Sequence, residues 1–222
     1  MNSKSSIFDS ILNTIESEDI RKFAERCIET IPDYFWNVGA SSTGKYHPQY
    51  ALGLRVVLWL SGCSHHCYNC QNPQTWNPDS GIPFDESAKQ EIFNELSKDY
   101  ISGITFSGGD PLHENNLNEV LKLVQQIRIF FPEKTIWLYT GFKIEDIVTR
   151  TQYEEICEMP NDPSNIWSKR WDIISNYVDV LVDGEYIDKQ KDLSLKWRGS
   201  KNQRVIDINQ TCTQNKIILY CD

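Results

Sequence analysis

The sequence predicts an α/β protein whose parallel sheet is bent into a partial, open β/α barrel behind an N-terminal helical extension. Three observations lead there. From Leu54 onward, short β-branched and aromatic runs alternate with amphipathic stretches of about 10–15 residues, the pattern of βαβ units. Only 169 residues follow Gly53, whereas a closed eight-unit barrel takes about 250. Four unusual loops each follow an expected strand: Cys63 to Trp76, Ser107-Gly108-Gly109, Thr140-Gly141 and Asp183-Gly184. In parallel sheets the chemistry collects at the carboxyl ends of the strands, so these loops define one rim.

The elements follow in order. Phe8, Ile11, Leu12 and Ile15, then Ile20, Phe23, Ala24, Cys27 and Ile28, fall at helical spacing, and Ile31-Pro32 ends the run. A Gly/Ser/Thr-rich loop from Gly39 to Gly44 places a boundary between Pro32 and Gly53, dividing a leader (1–50) from the main domain (51–222). Arg55 to Leu60 reads as a strand. Asp85 to Tyr100 reads as a helix with Asp85 as its N-cap. Ile101 to Phe106 is a strand, and Leu117, Val120, Leu121, Val124 and Ile127 mark an amphipathic helix stopped before Pro132. Thr135 to Thr140 is a strand, Asp146 to Met159 a helix broken at Asn161 to Ser164, and Thr149 to Lys169 reads as a surface insertion. Trp171 to Tyr177 is a short helix before the strand Val178 to Val182. Arg204 to Ile208 and Lys216 to Tyr220 read as terminal strands.

Composition excludes several classes. The longest apolar run falls far short of the roughly 20 residues that cross a bilayer, and Met1 to Ser10 lacks the layout of a secretory signal. Both features point to a cytoplasmic protein without a membrane partner. A formal net charge of −9 argues against nucleic acid, whose phosphates need a basic surface. The seven cysteines are an odd number, and only three are clustered. Cys27, Cys157, Cys212 and Cys221 have no close partner and read as ordinary small side chains in a reducing compartment.

The clustered three, Cys63, Cys67 and Cys70, have the spacing C-x3-C-x2-C directly after a strand. Thiolates so spaced on a turning backbone can face one centre, as a soft metal or an iron–sulfur cluster requires. On the cysteines alone a zinc site completed by His65, His66 or a distant cysteine stays open, and with it a zinc-stabilised binding module. Three thiolates on a four-iron cluster would instead leave one iron open to a small molecule. Gly108 and Gly109 lack Cβ atoms, so backbone there can approach a ligand closely.

These motifs together are similar to the radical S-adenosylmethionine (SAM) enzymes. The likeness narrows with Gly53-Leu54-Arg55, Leu58 to Cys63, Asn72-Pro73-x-Thr75-Trp76 and Thr105 to Leu112. It narrows further with Trp137-x-Tyr139-Thr140-Gly141, Val180 to Gly184 and Leu193-Ser194-Leu195-x-Trp197-Arg198-Gly199-Ser200-x-Asn202-Gln203-Arg204. The chain resembles the glycyl-radical activases of anaerobic ribonucleoside-triphosphate reductase from about Leu52 to Tyr220. That resemblance implies a partial barrel of the radical SAM type and a [4Fe–4S] cluster on Cys63, Cys67 and Cys70. SAM would chelate the fourth iron. It implies an oxidoreductase in which a low-potential donor such as flavodoxin reduces the cluster and SAM is cleaved to a 5′-deoxyadenosyl radical. That radical takes hydrogen from a glycine of the reductase large subunit. An activase of the pyruvate formate-lyase type is the alternative within the superfamily; the short chain and the Trp197 to Ser200 region argue against it. The resemblance assigns Gly108 and Gly109 to the methionine end of SAM, and Asn69 and Gln71 to the adenosine. Thr140 and Asp183 are expected near the sugar or the incoming glycine loop. Asn69 stands where many relatives carry an aromatic residue, and Asp110 where many carry glutamate. His65 and His66 are expected to hydrogen-bond near the cluster rather than ligate it. Trp76, Trp137 and Trp197 are expected at the mouth or in the core.

The front of the chain resembles something else. Ile31-Pro32-x-Tyr34-Phe35-Trp36 and Ala40 to Pro48 are similar to the start of some His-Asp phosphohydrolase-like proteins, whose later metal-binding histidines are absent. A truncated leader fused to the activase, with His47 as a remnant, is the expectation; a lineage-specific helical extension is the plainer alternative.

Overall fold

The computed structural model describes residues 36–41, 53–156 and 165–220. The expected leader helices, His47, Cys27, Cys157, Cys221 and the break at 161–164 lie outside the described residues. Among those described, no helix is long and apolar enough to cross a membrane.

Among the described residues seven strands form one mixed, open sheet in the order β3-β1-β2-β4-β5-β6-β7. They are β1 (Trp36–Ser41), β2 (Leu54–Leu60), β3 (Pro83–Phe84), β4 (Ile101–Gly108), β5 (Thr135–Tyr139), β6 (Val180–Asp183) and β7 (Arg204–Asp207). β2, β4, β5 and β6 are parallel neighbours, as the alternating pattern predicts. The edges are antiparallel: β1 on β2, β3 on β1 and β7 on β6. Two terminal expectations change here. Residues 39–41, read as loop, continue β1, which lies within the Pro32 to Gly53 stretch. Lys216 to Tyr220 is no strand; it makes a single bridge, Ile206 to Leu219, after a helix that the sequence pattern did not announce.

The helices are α1 (Glu86–Leu96), α2 (Leu117–Phe130), α3 (Ile144–Ile156), α4 (Ile166–Tyr177) and α5 (Ile208–Gln214). Asp85 does cap α1, accepting the Ala88 N–H at 2.9 Å. Asp207 does the same for α5 through the Gln210 N–H, and Asn215 ends α5 in a left-handed turn. α2 buries Leu117, Val120, Leu123, Val124, Ile127 and Phe130, each contributing about 1.5–3 kcal/mol by leaving water. α4 begins five residues earlier than expected, and its Arg170 is buried. The guanidinium donates to the Leu112 carbonyl at 2.9 Å and lies over the Phe142 ring. The residue directly after the expected surface insertion therefore packs against the loop that follows β4.

Alternate residues of each strand point to one face. Trp59, Ser107 and Tyr139 share a cavity at the carboxyl ends. Deeper in the sheet Arg55 is 1% exposed and donates to Thr105, Thr135 and the Ile104 carbonyl, with Trp137 alongside. Burial lowers its guanidinium to about 10. Trp137 itself is core, packed with Val180, Val182 and Val205.

Candidate metal centre

The loop from Cys63 to Trp76 is closed by its own backbone. Gly62 N–H donates to the Thr75 carbonyl (2.8 Å) and Cys63 N–H to the Trp76 carbonyl (3.0 Å). A 3-10 turn at Pro73–Thr75 makes this closure possible, and the Thr75 hydroxyl donates to the Asn72 carbonyl. The β4 turn then docks on the base of the loop: Gly109 N–H reaches the Leu60 carbonyl and Asp110 N–H the Gly62 carbonyl, both at 2.7 Å. A Cβ on Gly108 would lie 2.6 Å from the Leu60 oxygen, and one on Gly109 2.5 Å from the Gly62 oxygen. Gly108 also has φ +104°. Both glycines line the cavity, but contact with the protein's own backbone already requires them.

Cys63, Cys67 and Cys70 are free thiols on the wall of one cavity of about 860 Å³. Backbone N–H groups face all three sulfurs: those of His65 and His66 at Cys63, that of Tyr186 at Cys67 and that of Asn72 at Cys70 (3.4 Å). Burial is the main reason the Cys63 thiol is pushed up to about 11, and it raises Cys67 as well. Metal ligation by these thiols would displace protons, and the N–H groups facing them would stabilise sulfur charge. Among the described residues no three His, Cys, Asp or Glu side chains converge tightly enough for a single ion. A thiol-only donor set with N–H groups at each sulfur suits an iron–sulfur cluster, which is wider than one ion.

His65 holds this loop to the rest of the rim. Its Nε2 lies 2.9 Å from Asp110 Oδ2 and its Nδ1 3.1 Å from Glu185 Oε1. Carboxylates accept only, so the ring satisfies both as the imidazolium. Burial opposes that charge, but the bonds and charges of Asp110 and Glu185 outweigh it and raise the ring's pKa above its usual value. Asp110, 1% exposed, also accepts from Leu112 N–H, Gly141 N–H and the Thr140 hydroxyl. One carboxylate thus joins the cysteine loop, the β4 turn and the β5 turn, and His65 adds the segment after β6. Asp110 and Glu185 were not among the expected site residues. The Gly-Gly-acid run after a strand was a legible signal for Asp110; nothing local marked Glu185.

The remaining expected residues divide. Gln71 lines the cavity. Thr140 lines it too, but its hydroxyl donates to Asp110 and accepts from Phe142 N–H, so its hydrogen is committed within the protein. Asp183 does not line the cavity. Arg204 grips its carboxylate, which also accepts the Ile144 N–H at the start of α3, because a buried acid needs such partners. Asn69 also leaves the cavity wall and donates to Asp188 at 3.2 Å. Its φ of +54° explains the asparagine: left-handed backbone is costly for bulky side chains and tolerated by Asn. His66 packs edge-on against Trp76 at 4.8 Å. Trp76 and Trp197 line the cavity.

Three free thiols with aimed backbone donors, on the carboxyl rim of an α/β sheet, are the features of an iron–sulfur protein. Residues 51–206 match the family model described as a 4Fe-4S single cluster domain. The chain is 41% identical to an anaerobic ribonucleoside-triphosphate reductase-activating protein of Enterobacteria phage T4, over 69% of this chain and 83% of that one. It is 38% identical to the protein of that name from Escherichia coli K12, over 72% and 96% of the two chains. For Haemophilus influenzae the identity is 36%, over 72% and 93%. The chain belongs to this family of reductase-activating proteins with a single-cluster domain. No solved structure matches it.

Proposed function

We propose that the protein activates an anaerobic ribonucleoside-triphosphate reductase by reductive cleavage of SAM, as a glycyl-radical-generating enzyme on a partial barrel of the radical SAM type. The observation that carries this reading is the meeting of the three thiols with the Gly108-Gly109-Asp110 turn in one cavity. The names of the relatives supply the partner.

Cys63, Cys67 and Cys70 would hold the cluster, and backbone at Gly108 and Gly109, with the Gln71 side chain, would border SAM. When bound, the cluster would supply the low-potential electron for cleavage of SAM, the chemistry that would let a glycine of the reductase large subunit lose hydrogen. The protein's own task is positional. Backbone N–H groups stabilise charge on the three sulfurs, and the His65–Asp110 clasp fixes the loop that carries them. Asn69, Thr140 and Asp183 act as supports: Asn69 holds the loop to Asp188, Thr140 orients Asp110, and Asp183 anchors α3. A low-potential donor such as flavodoxin supplies the electron, and the cytoplasm is the compartment that suits free thiols.

The test is anaerobic reconstitution with iron and sulfide, then reduction in the presence of SAM and the purified reductase large subunit. The expected result is 5′-deoxyadenosine formation and a glycyl radical by electron paramagnetic resonance. Alanine at any of the three cysteines should abolish both. A chain that takes up only zinc, or a reconstituted brown protein that leaves SAM intact, would sink the proposal.

A further inference from the structure

The segment between β6 and β7 lines the outer part of the cavity and carries charge to which the reading above gives no role. Residues 189–204 hold six of the chain's 22 Lys and Arg against one acidic residue, in a protein of net charge −9. A 3-10 turn at Asp188–Gln190 opens this strap, and the bridge between Lys191 and Ser200 closes it. Within it, Arg198 is spent on the Gln203 carbonyl, Arg204 on Glu145 and Asp183, and Lys201 faces Asp192 at 3.5 Å. Lys189, Lys191 and Lys196 are exposed.

Two apolar side chains accompany this charge. Leu193, at the tip, is 88% exposed and lines the mouth of the cavity, while Tyr68, between Cys67 and Cys70, is 78% exposed. They are the two most exposed large hydrophobic side chains among the described residues. Both sit on segments that line the same cavity, and the Asn69–Asp188 hydrogen bond joins those segments. Apolar side chains gathered on one rim, unlike singly scattered ones, mark a contact surface.

The strap is also held in shape. Trp197 has φ +60°, a conformation that bulky residues rarely adopt. The Tyr139 hydroxyl donates to its carbonyl at 2.8 Å, and its ring meets Trp137 edge-on at 5.6 Å. Gln203 Oε1 accepts from the Gly199 and Ser200 N–H groups. A surface arranged in advance loses less entropy on docking.

We infer that residues 188–200, with Tyr68, form the docking surface for the polypeptide that presents the reactive glycine. The docking segment carries acidic residues against Lys189, Lys191 and Lys196, and an apolar residue that covers Leu193. This rests on the activase reading above. A polypeptide fits better than nucleic acid because the protruding contacts are apolar and the surrounding protein is acidic. It fits better than a second copy because a symmetric pair through this face would set basic strap against basic strap.

The test uses the full, reconstituted chain and the reductase large subunit under anaerobic conditions. Two readouts are taken: affinity as a function of sodium chloride, and 5′-deoxyadenosine formed without reductase. The Lys189→Glu/Lys191→Glu variant should weaken reductase binding about tenfold, flatten its salt dependence and leave SAM cleavage without reductase unchanged. Leu193→Ser should weaken binding about fivefold with the salt dependence intact. Binding within about twofold of wild type for both variants, with glycyl radical still formed, overturns the docking surface and leaves the activase reading standing. So does loss, in the charge-reversed variant, of self-association or of binding to a single-stranded oligonucleotide while reductase affinity holds. Failure of the wild-type chain to cleave SAM overturns both readings.

Discussion

The clasp around His65 can be tested without any cofactor through Asp110→Asn. The substitution keeps size and shape but turns one acceptor oxygen into a donor. Oδ1 accepts the Leu112 N–H at 2.8 Å, and Oδ2 accepts the Gly141 N–H at 3.0 Å and His65 Nε2 at 2.9 Å. A carboxamide has no orientation that serves all of these. With its nitrogen at the Oδ2 position it confronts Gly141 N–H; turned over, it confronts Leu112 N–H. One backbone donor at a 1% exposed site is orphaned either way, at about 1–3 kcal/mol, and the ion pair with His65 is lost. The expected destabilisation is about 3 kcal/mol, or about 6–12 °C in melting temperature for a unit of this size. The measurement is urea and thermal unfolding of the reduced, cluster-free protein. A double-mutant cycle with His65→Gln should return a coupling of about 0.5–3 kcal/mol. A cost below about 0.5 kcal/mol, or strict additivity of the two changes, would refute the clasp.

Two further outcomes are expected. Gly141→Ala would bring a Cβ to 2.4 Å from His65 Cδ2, and a ring held at both nitrogens cannot swing aside cheaply. Iron bound per chain after reconstitution should fall well below that of Gly199→Ala, whose Cβ meets nothing nearer than Tyr186 at 3.3 Å; equal iron in the two proteins would count against the clasp. On the far side of the rim, Arg204 binds Glu145 through two bonds, the main reason the Glu145 carboxyl is lowered from 4.5 to about 2. A depressed carboxyl stabilises the fold above its unfolded pKa and loses that contribution as pH falls through the folded value. Stability should therefore decline as pH drops from about 4.5 toward 2, and less so in Glu145→Gln. Glu145 is 52% exposed, so added salt should shrink the difference; a pH profile identical in the two proteins would exclude the pair as its source.

Local pattern carried much of this architecture. Period and punctuation locate β2, β4, β5, α1 and α2 within a few residues, because alternation, capping and proline stops are short-range effects. The cysteine spacing and the Gly-Gly-Asp turn point to the site for the same reason, since ligands on one loop are set by neighbours in the chain. β1 escaped notice: four of its six residues, Asn37, Gly39, Ala40 and Ser41, have weak strand propensity, and pairing with β2 decides its conformation. α5 escaped because seven residues leave little room for a helical period. The assignment of carboxylates was beyond the reach of pattern. Asp183 and Asp110 both follow strands and only Asp183 is expected at the site, yet Asp183 is taken by Arg204 and the start of α3 while Asp110 gathers four donors around the cavity. Glu185 meets His65 from 120 positions away. Which acid faces the thiols and which is consumed by the scaffold depends on partners brought together by the sheet, and burial forces every such group to find one.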